Sequence, residues 1–108
     1  MLFSGVMDFY EEAQKVRRIS REEEKKCAQN LQQDPAAREQ LIRSYYPQVA
    51  AQLRRAPGDI QTLKTLYACL SSLEKGVDTF NFQQDSESFT HHLSWRLRQC
   101  IIRCIAEK

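Results

Sequence analysis

The chain has few residues that interrupt helices, with only three glycines and three prolines among its 108 residues. It also lacks the alternation of apolar and polar residues that is typical of half-buried strands. Both absences favour helices joined by short polar turns over a sheet. The length suits one domain with one modest core, so we predict a single all-α domain over residues 1–108.

Long apolar runs are missing as well. No stretch approaches the length that spans a membrane, and the N-terminal sequence MLFSGVMDFYEE has neither the basic region nor the apolar core of a signal peptide. An apolar content of 42% and a charged content of 28% are typical of a globular protein. We therefore expect a cytoplasmic protein without a membrane segment.

Metal-ligand patterns are poor. The two histidines, His91 and His92, are adjacent, and no CxxC pair occurs among the four cysteines, which are Cys27, Cys69, Cys100 and Cys104. The last two cysteines are one helical turn apart, but the histidines fall on the other face of the same predicted helix. We predict reduced thiols in the core, with no metal and no cofactor.

Catalytic motifs are absent too. No phosphate-binding, dinucleotide-binding, zinc-protease or nucleophile-elbow motif occurs. Asp8, Glu11 and Glu12 form an acidic group, but no histidine or nucleophile pattern accompanies them, so we predict that the chain is not an enzyme. The net charge of +2 is too small to indicate nucleic-acid binding by itself, and the position of the charges must decide that question.

Apolar residues recur at helical spacing, which predicts a bundle of about five helices. The first covers residues 6–16. A capping box starts the second at Ser20, and that helix continues to about residue 32. Asp34 and Pro35 start the third, because aspartate caps exposed N–H groups and proline lacks the N–H that would be left unpaired.

The second half of the chain predicts two longer helices. Pro47 is expected to bend the third helix without ending it. Asp59 is expected to cap a fourth helix that ends near Phe80. A polar loop at residues 81–88, whose last residue Ser88 serves as a cap, then leads to a final helix over residues 89–107.

The final helix has two contrasting faces when residues are placed at about 100° intervals. One face is apolar and is predicted to pack against the apolar stripe of the fourth helix. The two stripes consist of Phe89, Leu93, Leu97, Cys100, Ile101, Cys104 and Ile105 on the final helix, and of Leu63, Leu66, Tyr67, Leu70, Leu73 and Val77 on the fourth.

Trp95 lies on the opposite face of the final helix, among basic and polar residues. Its neighbours there are His91, His92, Arg98, Gln99 and Ile102, with Arg96 and Arg103 at the edge. Exposed aromatic rings stack on bases and arginines neutralise phosphates, so this face is a candidate for binding single-stranded nucleic acid. In the alternative, which periodicity alone slightly favours, Trp95 packs beneath the preceding loop or the first helix.

Several segments occur in a familiar order. They are ISREEE at residues 19–24, AREQLI at 37–42, YYPQVA at 45–50, LEKGVDTF at 73–80, SFT at 88–90 and WRLRQCIIR at 95–103. Together they resemble the conserved region 2 domain, with part of region 1.2, of bacterial RNA polymerase sigma factors. The resemblance covers about residues 19–108 and leaves the N-terminal helix, residues 1–18, outside it.

This resemblance implies a sigma-region-2-like fold that binds the non-template strand of the promoter −10 element, within RNA polymerase holoenzyme or a split sigma factor. It implies promoter DNA and the clamp helices of core polymerase as partners, and a second subunit that carries the −35-binding domain. By matched position the DNA-binding residues are His92, Trp95, Arg96, Arg98, Gln99 and Arg103.

The chain departs from the family pattern in two sets of residues. Arg96 stands where the family has a second tryptophan, and His92 where it has a tyrosine that stacks at the fork. The stretch that docks on polymerase has lost its acidic and amide residues, and a lysine in an acidic position replaces attraction by repulsion. This degenerate docking stretch consists of Lys64, Tyr67, Ala68 and Cys69.

The family's helix-turn-helix domain for the −35 element has no counterpart in this sequence. We therefore expect a truncated chain, one half of a split sigma factor, or a free-standing derivative. A rival hypothesis is a protein-interaction module, derived from a sigma domain, that binds an anti-sigma factor or another regulator.

Overall fold

A computed structural model describes residues 3–17, 19–30, 33–80 and 89–107. These ranges contain helices and no strand, as predicted. The helices are α1 (Val6–Lys15), α2 (Arg21–Gln29), α3 (Pro35–Ser44), α4 (Tyr46–Arg55), α5 (Leu63–Thr79) and α6 (Phe89–Glu107), with a 3-10 turn at Gly58–Ile60. None of the described helices is both long and apolar enough to cross a lipid bilayer. The predicted 81–88 loop and its Ser88 cap lie outside the described residues. The predicted end of the second helix near residue 32 is corrected, because α2 ends at Gln29 and Asn30 is its C-cap.

Two predicted helix starts are confirmed by their capping bonds. The Ser20 hydroxyl accepts from the Glu23 N–H at 3.2 Å, and the Glu23 carboxylate accepts from the Ser20 N–H at 3.3 Å, which completes the capping box. The Asp34 carboxylate accepts from the Ala36 N–H at 3.0 Å. Each bond satisfies a backbone donor that the first turn of a helix leaves unpaired.

The predicted cap of α5 is wrong. Thr62 is the N-cap, and its hydroxyl accepts from the Thr65 N–H at 3.3 Å. Asp59 instead belongs to the short 3-10 turn that precedes the helix. That turn buries Ile60 in the core, so the chain needs two more residues before α5 begins.

The third predicted helix is two helices, because the chain breaks at Tyr45. α3 ends at Ser44, and Pro47 lies in the first turn of α4, where its missing N–H leaves no helical bond unmade. The buried Tyr45 ring packs edge-on against Phe89 of α6, with ring centroids 5.4 Å apart. The break therefore sends an aromatic side chain into the core between α3 and α6.

The core forms where α5 packs along α6, the most extensive contact between the described helices. Seven of the thirteen residues in the two predicted stripes are buried. Ile105 is exposed, and five others are half-buried, namely Leu63, Tyr67, Leu70, Cys100 and Cys104. α1 closes the other side of the bundle by packing on α4, as expected for an amphipathic first helix, and its Phe9 ring lies 5.2 Å from the ring of Tyr46.

Candidate nucleic-acid interface

The rotation of α6 is fixed by its buried residues. Phe89, Leu93 and Leu97 recur every fourth residue and are all buried, so the helix has only one orientation on the bundle. Trp95 consequently faces solvent, with 56% of its surface exposed. The alternative in which Trp95 packs inward, which periodicity slightly favoured, is therefore wrong.

Four other exposed residues share the outer face with Trp95. They follow it by three, four, seven and eight positions, which is the spacing of neighbours on one side of a helix. These residues are Arg98, Gln99, Ile102 and Arg103. The face is about 12 Å long at the rise of an α-helix, so it offers one ring, an amide and two guanidinium groups within a short distance.

The outer face is basic. α6 contains three arginines and only one acidic residue, Glu107, in its last turn. Within the described ranges, neither Arg98 nor Arg103 forms an ion pair with a carboxylate. Both guanidinium groups are therefore available to a phosphate, although Glu107 lines the same groove as Arg103.

A groove runs beside Trp95 between α5 and α6. It has a volume of about 560 Å³, and its walls include Trp95, Gln99 and Arg103 from α6 and Ser71 and Lys75 from α5. A cavity of this size holds a small organic ligand. The groove thus adds a second basic wall and hydroxyl groups next to the exposed ring.

Arg96 is at the edge of this face and is already engaged. Its Nε donates to the backbone carbonyl of Ser72 on α5 at 3.3 Å, and its side chain is half-buried against Gly76. This hydrogen bond fixes the guanidinium on the groove wall. Arg96 therefore contributes a positioned charge to the groove and less contact area than Trp95.

The outward placement of His92 is corrected by the structure. His92 is half-buried, and its ring packs on the ring of Phe80 at the end of α5, with centroids 5.0 Å apart. Its neighbour His91 is exposed. His92 lies about 60° from Trp95 around the helix, on the side nearer α5. Because its ring contacts Phe80 there, His92 does not belong to the outer face.

The four residues of the degenerate docking stretch do not form one exposed surface. Lys64 is exposed and Ala68 lines the α5–α6 groove, but Cys69 is fully buried. Tyr67 is half-buried, and its hydroxyl accepts from the backbone N–H of Phe3 at 3.0 Å. The assignment of Tyr67 and Cys69 to a docking surface is therefore corrected, since one is tied to the N-terminal segment and the other is in the core.

Sequence reasoning missed a cluster of thiols. Cys69 from α5 and Cys100 from α6 lie close enough to shift each other's pKa, and both Cys100 and Thr65 affect the pKa of Cys104. The predicted core stripe of the final helix contained Cys100 and Cys104. The stripe of one helix does not show which residues of the neighbouring helix its cysteines contact. Among the described residues, no group of three or more histidine, cysteine or acidic side chains is arranged to hold a metal ion.

No protein-family model matches the chain, and no curated protein matches its sequence.

Proposed function

We propose that the chain is a sigma-like transcription-initiation module whose α6 outer face binds the non-template strand of a promoter −10-type element. The observation that carries this proposal is the exposed Trp95 flanked by the exposed arginines Arg98 and Arg103. The resemblance to sigma region 2 supports the same residues by matched position. The exposure of these side chains and their match to the family pattern therefore favour the same surface, the outer face of α6.

Each group on the face has a distinct role in the proposal. Trp95 stacks on one unpaired base, because every base presents a π-face to an aromatic ring. Arg98 and Arg103 neutralise the phosphates on either side of that base. The groove walled by Lys75 and Gln99 accepts a neighbouring base or its sugar, where serine and glutamine side chains offer hydrogen bonds.

Docking on polymerase is proposed to be weak. Of the residues that match the family's docking stretch, Lys64 is exposed and carries a charge opposite to the family's acidic residue. We expect a clamp-helix fragment of core polymerase to bind the chain weakly in isothermal titration calorimetry. Lys64→Asp should strengthen that binding, because it restores the acidic character the resemblance implies. Tight binding by the unaltered chain would contradict this part of the proposal.

The central test is binding of a fluorescein-labelled single-stranded oligonucleotide of about twelve nucleotides, measured by anisotropy at low salt. Trp95 is the only tryptophan, so quenching of its own fluorescence reports stacking in the same titration. Stacking on an aromatic ring is worth about 1–3 kcal/mol per base, so Trp95→Ala should weaken binding by roughly five- to a hundredfold.

The matched control is Met7→Ala. Met7 is a large apolar side chain on α1 that is 66% exposed, and its loss should leave DNA binding unchanged. The helical content of each variant is checked by circular dichroism. If the unaltered chain does not bind at low salt, or if folded Trp95→Ala binds as tightly as the unaltered chain, the DNA-binding proposal fails.

A second candidate function is supported by the apolar residues near Trp95. Ile102 is 51% exposed and lies two helical turns from Trp95, and Ile105 is 36% exposed. Exposed apolar groups close together often mark protein-binding surfaces, which favours a module that binds an anti-sigma factor or another regulator. Ile102→Ser separates the two functions, since it should leave oligonucleotide binding within about twofold but abolish binding to a protein partner.

A further inference from the structure

α5 and α6 run antiparallel in a register that places Cys69 opposite Cys100. The register is fixed by Gly76, which lies directly against Leu93. Cys69 precedes Gly76 by seven residues and Cys100 follows Leu93 by seven, so both are two helical turns from that contact, in the same direction along the interface. The two cysteine side chains accordingly face each other across the interface, and each shifts the pKa of the other.

The same register continues for one more turn. Thr65 faces Cys104 there, and the Thr65 side chain lowers the pKa of Cys104. Cys104 in turn lowers the pKa of Cys100, so three thiols from two helices form one cluster. Cys100 and Cys104 are half-buried and line the α5–α6 groove, whereas Cys69 is fully buried beneath them. Solvent therefore reaches the cluster from the Cys100 side.

The pKa values of Cys69 and Cys100 are shifted in opposite directions. The hydrogen bond from Cys69 lowers the pKa of Cys100, and the hydrogen bond from Cys104 and the charge of Arg103 act in the same direction, against burial and Glu107. The hydrogen bond to Cys100, together with burial, raises the pKa of Cys69. An accessible thiolate beside a protonated thiol is the arrangement found in reactive cysteine pairs.

We propose that Cys69 and Cys100 are a peroxide-responsive dithiol that closes to a disulfide across the α5–α6 interface. This site is separate from the Trp95 face, and it does not depend on the proposed DNA binding. It lies beneath the groove that Trp95 and Arg103 border, so the disulfide would lock the two walls of that groove together.

The chemistry takes two steps with hydrogen peroxide as the oxidant. The Cys100 thiolate attacks one peroxide oxygen, the O–O bond breaks, and the departing hydroxide takes a proton from solvent to become water, which leaves Cys100 as a sulfenic acid. The Cys69 sulfur then attacks the Cys100 sulfur. Its proton goes to the sulfenic hydroxyl, the S–O bond breaks, and a second water leaves. The two thiols are oxidised by two electrons, and the peroxide is reduced to two waters.

Cys104 is a poorer partner for the disulfide than Cys69. Residues four apart in an α-helix have Cβ atoms about 5–6 Å apart, whereas a disulfide needs Cβ atoms about 3.5–4.5 Å apart. A bond between Cys100 and Cys104 would therefore require α6 to unwind. Cys69 and Cys100 are on different helices, so a bond between them does not require α6 to unwind.

The test uses the purified full chain, treated with hydrogen peroxide, blocked with N-ethylmaleimide and digested with trypsin. Cleavage after lysine and arginine places Cys69, Cys100 and Cys104 on three separate peptides, residues 65–75, 99–103 and 104–108, and Cys27 on a fourth, residues 27–38. We expect a disulfide that joins peptide 65–75 to peptide 99–103. Cys27, which is buried on α2, should react at least about tenfold more slowly than Cys100.

Three variants test the assigned roles. Cys100→Ser should abolish the cross-linked peptide, Cys104→Ser should retain it, and Cys69→Ala should leave Cys100 as a sulfenic acid that dimedone captures. Circular dichroism confirms that each variant is folded, and the peptide map of the unaltered chain decides the question if one is not. A dominant link between Cys100 and Cys104, oxidation of Cys27 at an equal rate, or no disulfide at all would overturn the proposal.

Discussion

Gly76 of α5 lies so close to Leu93 of α6 that a Cβ atom on residue 76 would be 2.5 Å from Cδ2 of Leu93 and 3.0 Å from Cδ of Arg96. Leu93 is fully buried, and Arg96 is held by its hydrogen bond to Ser72. Leu93 has no open space to move into, and Arg96 can move toward the groove only by giving up its hydrogen bond to Ser72. The close approach of α5 and α6, on which both the groove and the thiol cluster depend, therefore requires glycine at this position.

Gly76→Ala should destabilise the fold. A methyl group forced into a packed core costs about 1–3 kcal/mol, and the better helix propensity of alanine offsets about 1 kcal/mol of that. We expect the free energy of unfolding in urea to fall by up to about 2 kcal/mol. Gly58→Ala is the matched control, because no described atom lies within 4 Å of a Cβ there. Equal effects of the two substitutions would show that α5 and α6 are not closely packed at Gly76.

We make a second prediction about stability from two residues of α6. Leu97 is fully buried and Ile102 is half-exposed on the same helix. Leu97→Ala should lower the free energy of unfolding by about 2–5 kcal/mol, because it leaves a cavity in the core. Ile102→Ala should change it by no more than about 0.5 kcal/mol. Chemical denaturation of both variants measures the difference, and a small loss for Leu97→Ala would place that residue outside the core.

Periodicity predicted the long helices well because each has a continuous apolar stripe that a bundle must bury. The final helix was predicted over residues 89–107 and is found at Phe89–Glu107. Periodicity failed where two local signals compete. Asp59 and Thr62 are both good caps, and the choice between them depends on Ile60, which enters the core through a 3-10 turn.

The thiol cluster could not be predicted for a different reason. The stripe of each helix shows which side is buried, but the contact between Cys69 and Cys100 depends on the axial register of two helices. Gly76 and Leu93 fix that register through a close contact between residues far apart in the sequence. Periodicity placed Trp95 opposite the apolar stripe of α6, but it could not show whether another segment covers that face, and the preference for a covered Trp95 was wrong.

A pH-dependent contribution to stability is expected from Arg38 of α3 and Asp78 of α5. Nε of Arg38 donates to Oδ1 of Asp78 at 2.8 Å, and a terminal guanidinium nitrogen donates to Oδ2 at 2.9 Å. The side-chain hydrogen bonds from Arg38 lower the pKa of Asp78 from its ordinary value of 3.8. A carboxyl group whose pKa is lower in the folded state stabilises the fold above its unfolded pKa, and this contribution is lost as the pH falls through the folded pKa.

Asp78→Asn should therefore lower the melting temperature at neutral pH but not in strong acid. Both side chains of the pair are partly exposed, so the loss at neutral pH should be at most about 1 kcal/mol. Glu11→Gln on α1 removes one exposed carboxylate without touching the pair and serves as the control. A difference between Asp78→Asn and the unaltered chain that persists well below pH 3.8 would rule out this ion pair as the cause.

The salt dependence of oligonucleotide binding distinguishes a local phosphate contact from general attraction. Each phosphate neutralised on a single strand contributes about −0.7 to the slope of log K against log salt concentration, so Arg98→Ala should flatten the slope by about 0.7. Lys25→Ala, at an exposed position on α2, removes the same charge from the chain and should leave the slope unchanged. Trp95→Ala should weaken binding equally at all salt concentrations, since stacking releases no counterions. If Lys25→Ala flattens the slope as much as Arg98→Ala, then net charge attracts the DNA and the α6 face is not its binding site.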